Sequence, residues 1–174
     1  MPKKIVIIGP ESTGKSTLTK ALADHFGEPW VPEYAREYLE HLERPYEFDD
    51  LLAIAKGQVA LEDSQSKQAN KFFFCDTDLH VLQVWSESKY KRVDPWILEQ
   101  IELRRYDLYL LTDIDTPWEA DPQREHPEPE MRQYFFDWYR SLLEANPTPF
   151  QIICGDIDFR LSEAIRHLNQ FTHA

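Results

Sequence analysis

Residues Lys3 to Leu18 read KKIVIIGPESTGKSTL. Ile5 to Ile8 is an unbroken β-branched run, the mark of a strand buried on both faces. Gly9, then Pro10-Glu11-Ser12-Thr13, then Gly14-Lys15-Ser16 fits the pattern G-x-x-x-x-G-K-[ST]. A helix-favouring stretch from Leu18 to Phe26 follows at once. Strand, glycine loop and helix in this order form the setting of a phosphate-binding loop. The two glycines let backbone N–H groups curl round an anion, and the helix N-terminus adds partial positive charge. Lys15 is placed to reach the β- and γ-phosphates of a nucleoside triphosphate, and the Ser16 hydroxyl to ligate Mg²⁺. Gly9, Glu11, Ser12, Thr13, Gly14, Lys15, Ser16 and Thr17 are therefore the expected nucleotide-binding residues.

The rest of the chain supplies what such a loop needs around it. Its 174 residues suit a single domain over 1–174. The run Pro29-Trp30-Val31-Pro32 is extended but too rich in proline for a long central strand. Glu33 to about His41 reads as helix, broken by Arg44-Pro45. A long helical stretch runs from Phe48 to Asn70, with Leu51, Leu52, Ala55, Val59 and Leu61 near helical spacing and Gly57 as its weak point. Phe72 to Cys75 is a second buried strand, followed by helices over about 79–88 and 95–104. Leu108 to Leu111 is a third. Asp115 to Pro129 carries Pro117, Pro122, Pro127 and Pro129 among charges and reads as a mobile, lid-like loop. Glu130 to Ala145 is an amphipathic helix, with Met131, Phe135, Trp138, Leu142 and Leu143 as inward candidates. Phe150 to Cys154 is a last strand and Arg160 to Phe171 a closing helix. Alternating strands and helices predict an α/β, three-layer P-loop NTPase fold: a parallel sheet of about five strands with helices on both faces.

In such sheets ligands sit at the carboxyl ends of the strands. Glu33, Asp76, Asp78 and Asp113 all fall just past predicted strand ends. Asp76 follows an apolar strand directly and is the expected Mg²⁺ carboxylate with Ser16; its competing role is a helix cap. Asp78 is either a cap or a contact to the acceptor hydroxyl. Glu33 is the candidate general base, against an exposed ion pair with Arg36 one turn on. Arg36 is a candidate to clamp a phosphate or orient a carboxylate. Arg124, with Arg132 beyond it, is placed to stabilise charge on the γ-phosphoryl group when the loop closes. Gly155-Asp156 is either a contact to adenine or a simple turn.

Composition narrows the partners. The formal net charge of −12 is a poor field for gripping a phosphate backbone, and no basic cluster with interleaved aromatics stands out. Nucleic acid is not expected as a partner, whereas a small cationic ligand suits an acidic protein. No apolar run approaches membrane-spanning length, so a cytoplasmic protein without an anchor is expected. Cys75 and Cys154 read as buried core residues of a reducing compartment. The six histidines lack metal-ligand spacing and read as surface or packing residues. Oligomeric state is left open. A GTPase switch would carry N-K-x-D, but Asn70-Lys71 runs into Phe72-Phe73. Asp24 to Gly27 has the letters D-x-x-G at the end of the first helix rather than at a strand end.

Four segments together resemble a known family: Gly9 to Thr17, Val31-Pro-Glu-Tyr-Ala-Arg-Glu37, Cys75-Asp-Thr-Asp78, and Thr116-Pro-Trp-Glu-Ala-Asp-Pro-Gln-Arg124. They are similar to the ribosylnicotinamide kinase domain of the bifunctional bacterial NAD-biosynthesis and regulator proteins, over nearly the whole chain. The resemblance implies a P-loop kinase that uses ATP and Mg²⁺ to phosphorylate the 5′-hydroxyl of nicotinamide riboside. It implies catalytic roles for Lys15, Glu33, Asp76 and Arg124, and an acceptor side that includes Glu33, Tyr34, Arg36 and Asp78. The adenylyltransferase domain of those proteins has no counterpart in these residues. In them a tryptophan directly precedes the E-Y-x-R-E glutamate and helps hold the nicotinamide ring. Here that place is Pro32, which leaves Trp30, Tyr34 or Trp85 as the aromatic partner. Kinases for other nucleosides, and a regulatory ATPase acting through a protein partner, are the competing readings.

Overall fold

The structure is a computed structural model and describes residues 1–171. Five parallel strands form one sheet: β1 (Lys3–Ile8), β2 (Trp30–Val31), β3 (Phe72–Asp76), β4 (Leu108–Thr112) and β5 (Phe150–Ile153), in the spatial order β2-β3-β1-β4-β5. The helices between them are α1 (Lys15–Phe26), α2 (Tyr34–Glu40), α3 (Phe48–Gln65), α4 (Leu79–Tyr90), α5 (Pro95–Leu103), α6 (Pro129–Glu144) and α7 (Ile157–Phe171). The predicted α/β layering and strand count are both found.

Side chains alternate across a strand, so each central strand feeds two cores. Ile5 and Ile7 of β1 face one side with Phe72, Phe74, Leu108 and Leu110, and pack under Leu18 and Leu22 of α1 and Ala164 and Leu168 of α7. Val6 and Ile8 face the other side with Phe73, Cys75, Tyr109 and Leu111, beneath Val84 of α4 and Phe135, Phe136, Tyr139 and Leu143 of α6. A continuous apolar run is what a doubly covered strand requires. Outside these layers α2, α3, α4 and α5 share a third core around Ala35, Leu51, Ile54, Leu79, Leu82 and Ile97.

Three local expectations are corrected. The long helix stops at Gln65 and tightens into a 3₁₀ turn over Ser66–Gln68 before reaching Asn70. Gly57 is no weak point: a Cβ there would lie 2.1 Å from the Tyr34 ring, so its absence lets α2 pack onto α3. Cys154 is exposed, because the edge strand β5 ends at Ile153 and leaves it just beyond the sheet, whereas Cys75 is buried as expected. Among the described residues no helix is long and apolar enough to cross a membrane.

Candidate active site

The register of β1 against β3 and β4 brings Ile7 level with Asp76 and Ile8 level with Leu111. The strand ends therefore align, and the loop from Gly9 to Gly14 emerges beside Asp76 and Thr112. Gly9 has φ 153°, and a Cβ on it would lie 2.3 Å from the Thr112 hydroxyl. Only glycine lets β1 turn out so close to β4. Thr13 is fully buried; its hydroxyl donates to the Pro10 carbonyl at 2.7 Å and meets the Thr112 hydroxyl at 2.7 Å. The loop is thus anchored from behind by the end of β4.

In front of the loop lies a cavity of about 580 Å³. Every residue from Gly9 to Thr17 lines it, as do Glu33, Arg36, Trp85, Arg124 and Arg132. Lys15 donates to the Pro10 carbonyl at 2.8 Å. Burial pulls its ammonium below the ordinary value, against the carboxylates of Glu33, Asp76 and Glu11. Ser16 donates to Asp76 Oδ2 at 2.5 Å. Asp76 Oδ1 is buried and has no partner. Burial pushes the Asp76 carboxyl up, opposed by the Ser16 hydroxyl and by Lys15. A buried, unpaired carboxylate oxygen beside a hydroxyl is costly by itself and suits a hard, oxygen-seeking cation. Ser16 and Asp76 are the residues that would hold Mg²⁺. Between Asp76 and Asp78, Thr77 takes φ 71°, an uncommon left-handed conformation of the kind that gathers at functional sites.

Glu33 sits between β2 and α2 and lines the cavity together with Lys15. Burial raises its carboxyl above the ordinary value; Asp76 and Glu11 raise it further, while Lys15 and Arg36 pull it down. Such a group is closer to neutrality than a free glutamate and suits proton transfer.

Residues 113–128 cross over the phosphate loop and are tied to it at several points. Glu119 N–H donates to Ser12 Oγ at 2.8 Å, and Arg124 to the same oxygen at 3.3 Å. Glu11 accepts from the backbone N–H groups of Glu125 and His126 at 3.0 and 3.1 Å. Arg132 donates to the carbonyls of Ser12 and Thr116 at 3.3 and 3.0 Å, and its buried Nε has no partner. Two arginines, Arg124 and Arg132, thus stand beside the loop that Lys15 occupies.

Two residues expected on the acceptor side are elsewhere. Asp78, like Asp76, is buried and does not itself line the cavity; unlike Asp76, it is turned to partners away from the phosphate loop. Its carboxylate accepts from the His80 N–H at 3.0 Å, from His80 Nδ1 at 2.7 Å and from the Tyr109 hydroxyl at 2.8 Å, so it caps α4. Burial works against charge on His80, but Asp78 outweighs it and holds the imidazole above its ordinary value. His80 is a buried, carboxylate-paired residue. Tyr34 lies against Gly57 and faces a shallow groove with Tyr38 and His41. Trp30 packs on the α1 core. Of the three aromatic candidates, Trp85 alone lines the cavity, and its indole N–H donates to the Tyr46 hydroxyl at 2.6 Å. Gly155-Asp156 forms a turn in which Asp156 accepts from Phe159 N–H at 2.9 Å. Sequence reasoning missed Arg160, which reaches the Thr13 carbonyl from α7 at 2.5 Å. An arginine near the start of an amphipathic helix carries no signal of such a contact.

The AAA domain family (AAA_28) matches residues 4–160. The chain belongs to this family. It is 34% identical over 152 residues to the trifunctional NAD biosynthesis/regulator protein NadR of Escherichia coli K12, an alignment covering 85% of this chain and 37% of that protein. The chain thus spans little more than a third of the length of this curated relative. Among solved structures, a NadR protein in complex with NR superposes with a TM-score of 0.80 at 25% identity, covering 99% of this chain and 51% of that one. The thymidylate kinase of Ehrlichia chaffeensis superposes with a TM-score of 0.66 at 18% identity, covering 96% and 98%. The AAA-family chain therefore has the P-loop kinase fold.

Proposed function

We propose that the protein is an ATP-dependent kinase that phosphorylates the 5′-hydroxyl of nicotinamide riboside. The observation that carries this reading is the shared cavity of Lys15 and Glu33, a phosphate-seeking cation and a proton-accepting carboxylate, which continues to Trp85. The identity to NadR and the likeness to its complex with NR support the choice of acceptor.

In this mechanism the Gly9–Thr17 loop and Lys15 hold the triphosphate. Glu33 takes the proton as the acceptor oxygen bonds to the γ-phosphorus, the bond to the β-phosphate oxygen breaks, and ADP leaves. Arg124 and Arg132 neutralise charge spread over the transferring group. Ser16 and Asp76 would hold Mg²⁺, which would supply further charge neutralisation on the phosphates. Residues 115–129 act as a lid that keeps water from the phosphoryl group. The face of Trp85 suits the positively charged nicotinamide ring, a contact worth about 0.5 to 2 kcal/mol.

One observation favours a second reading. Lys89 lines the same part of the wall, with its ammonium 3.6 Å from the centre of the Tyr46 ring. A cation there opposes a cationic ring, which favours an uncharged nucleoside instead. The deciding experiment measures ADP release from Mg·ATP with a panel of nucleosides, nicotinamide riboside included. Strong stimulation by nicotinamide riboside with a phosphorylated product by mass is the expected result. Stimulation by another nucleoside alone moves the acceptor. ADP release indifferent to every nucleoside points to a regulatory ATPase.

A further inference from the structure

Arg160 lies near the start of α7, with only 2% of its side chain exposed. A guanidinium is buried at heavy cost unless its donors are matched. Here Nε donates to the Gly155 carbonyl at 2.7 Å and Nη1 to the Thr13 carbonyl at 2.5 Å. Nη2 donates to the Asp113 carbonyl at 3.0 Å and to Asp115 Oδ1 at 2.5 Å. Asp115 Oδ2 in turn accepts from Gly155 N–H at 2.5 Å. One side chain therefore joins the phosphate loop, the root of the segment that covers it, and the turn into α7.

The Thr13 carbonyl belongs to the same peptide group as the Gly14 N–H. In a trans peptide the two point in opposite directions. With the carbonyl held on Arg160, the Gly14 N–H is turned away from the guanidinium, and Gly14 lines the cavity. Gly14 has φ 76° and no side chain to resist rotation of that peptide. A flip would present a carbonyl oxygen to the phosphates in place of a donor. The Thr13 hydroxyl cannot replace this restraint, since it is engaged with Pro10 and Thr112.

We propose that Arg160 is a positioning residue for nucleotide binding: it fixes the Thr13–Gly14 peptide so that its N–H serves the phosphates, and Asp115 orients it to do so. The inference rests on reading the loop as a triphosphate cradle and is independent of the acceptor.

The test uses the full chain with Arg160→Met, Arg160→Lys and Asp115→Asn. Affinity for the non-hydrolysable analogue AMP-PNP is measured by calorimetry, basal ADP release gives KM and kcat for ATP, and Tm reports folding. Arg160→Met is expected to weaken AMP-PNP binding and raise KM for ATP about tenfold, the scale of losing hydrogen bonds from a charged donor. Its kcat stays within about threefold, because Arg160 does not touch the transferring group. Arg160→Lys recovers part of the affinity, and Asp115→Asn loses about two- to fivefold. A purely structural role would lower Tm and leave the affinity of the folded protein intact. Arg160→Lys and Asp115→Asn proteins that fold and bind AMP-PNP like wild type overturn the proposal, and they decide it even if Arg160→Met does not fold. A wild-type protein that binds no AMP-PNP overturns the cradle reading itself.

Discussion

Arg36 on α2 and Asp121 in the segment over the phosphate loop form an ion pair of 2.9 Å. The Gln123 side chain reinforces it by donating to the Arg36 carbonyl at 3.2 Å. Arg36 thus joins α2 to the cover rather than standing free to clamp a phosphate. Both side chains are partly exposed, so the pair contributes little to overall stability. Asp121→Ala is accordingly expected to leave Tm within a few degrees of wild type. Its effect falls on coupling: a loosened cover admits water, and ADP release without acceptor rises relative to phosphoryl transfer. The ratio of ADP to phosphorylated product measures this directly, and an unchanged ratio would remove the latch from the mechanism.

Asp76 has one oxygen on Ser16 and one that is buried and unpaired, which fits the cation ligand of the proposed mechanism, while the cap of α4 is Asp78. Asp76→Asn is expected to shift the Mg²⁺ dependence of activity upward by about tenfold or more while affinity for metal-free ATP changes little. Lys15→Ala is expected to lose ATP binding itself, since Lys15 lies in the loop that cradles the phosphates. Titration of Mg²⁺ at fixed ATP separates the two, and matching losses in both variants would argue against separate roles.

Trp85 stands on the cavity wall, whereas Trp30 and Tyr34 do not. Trp85→Ala is expected to raise KM for nicotinamide riboside about two- to thirtyfold, the range of a cation–π contact, with KM for ATP nearly unchanged. Trp85→Phe recovers most of the loss. Lys89→Ala acts in the opposite direction on a cationic acceptor, lowering its KM. Steady-state kinetics with both substrates checks the pair of variants, and a Trp85→Ala enzyme with unaltered acceptor KM would show that the ring is held elsewhere.

The strand, loop and helix at the start of the chain were legible because their signals are local: a β-branched run, spaced glycines, and a lysine-serine pair. The site carboxylates were only half legible. Asp76 and Asp78 look alike in sequence, both just beyond an apolar strand. What separates them is the turn at Thr77, which leaves Asp76 on Ser16 and sends Asp78 to His80 and Tyr109. A left-handed threonine has no sequence signature. Arg160 was invisible for a different reason: apart from Asp115 its partners are backbone carbonyls, one of them 147 residues away. Any residue type supplies a carbonyl, so no pattern marks the contact. Phe136 and Tyr139 are buried beside the expected Phe135 because α6 packs a broad face on the sheet, wider than its apolar spacing suggested.

Glu33 gives a prediction in which activity and stability move apart. Its carboxyl is raised by burial first, then by Asp76 and Glu11. As the base it must be ionised, so the acid limb of the activity profile lies above the ordinary carboxylate range. Glu11→Gln removes a negative neighbour and is expected to move that limb to lower pH; Arg36→Met removes a positive one and is expected to move it higher. Glu33→Gln should lower kcat by about a hundredfold or more while leaving ATP affinity largely intact. The stability sign follows from the raised value. Folding is favoured by Glu33 when it is protonated, and that contribution is lost as pH rises through the folded pKa. Above that pKa the wild type carries an ionised carboxylate held against its preference, and there Glu33→Gln is expected to melt at higher temperature. The gap should close as pH falls toward the ordinary glutamate range, where both side chains are neutral. Melting curves between pH 5 and 8 test this without any substrate. A Glu33→Gln protein less stable than wild type throughout, or one with normal turnover, would take the base assignment away from Glu33.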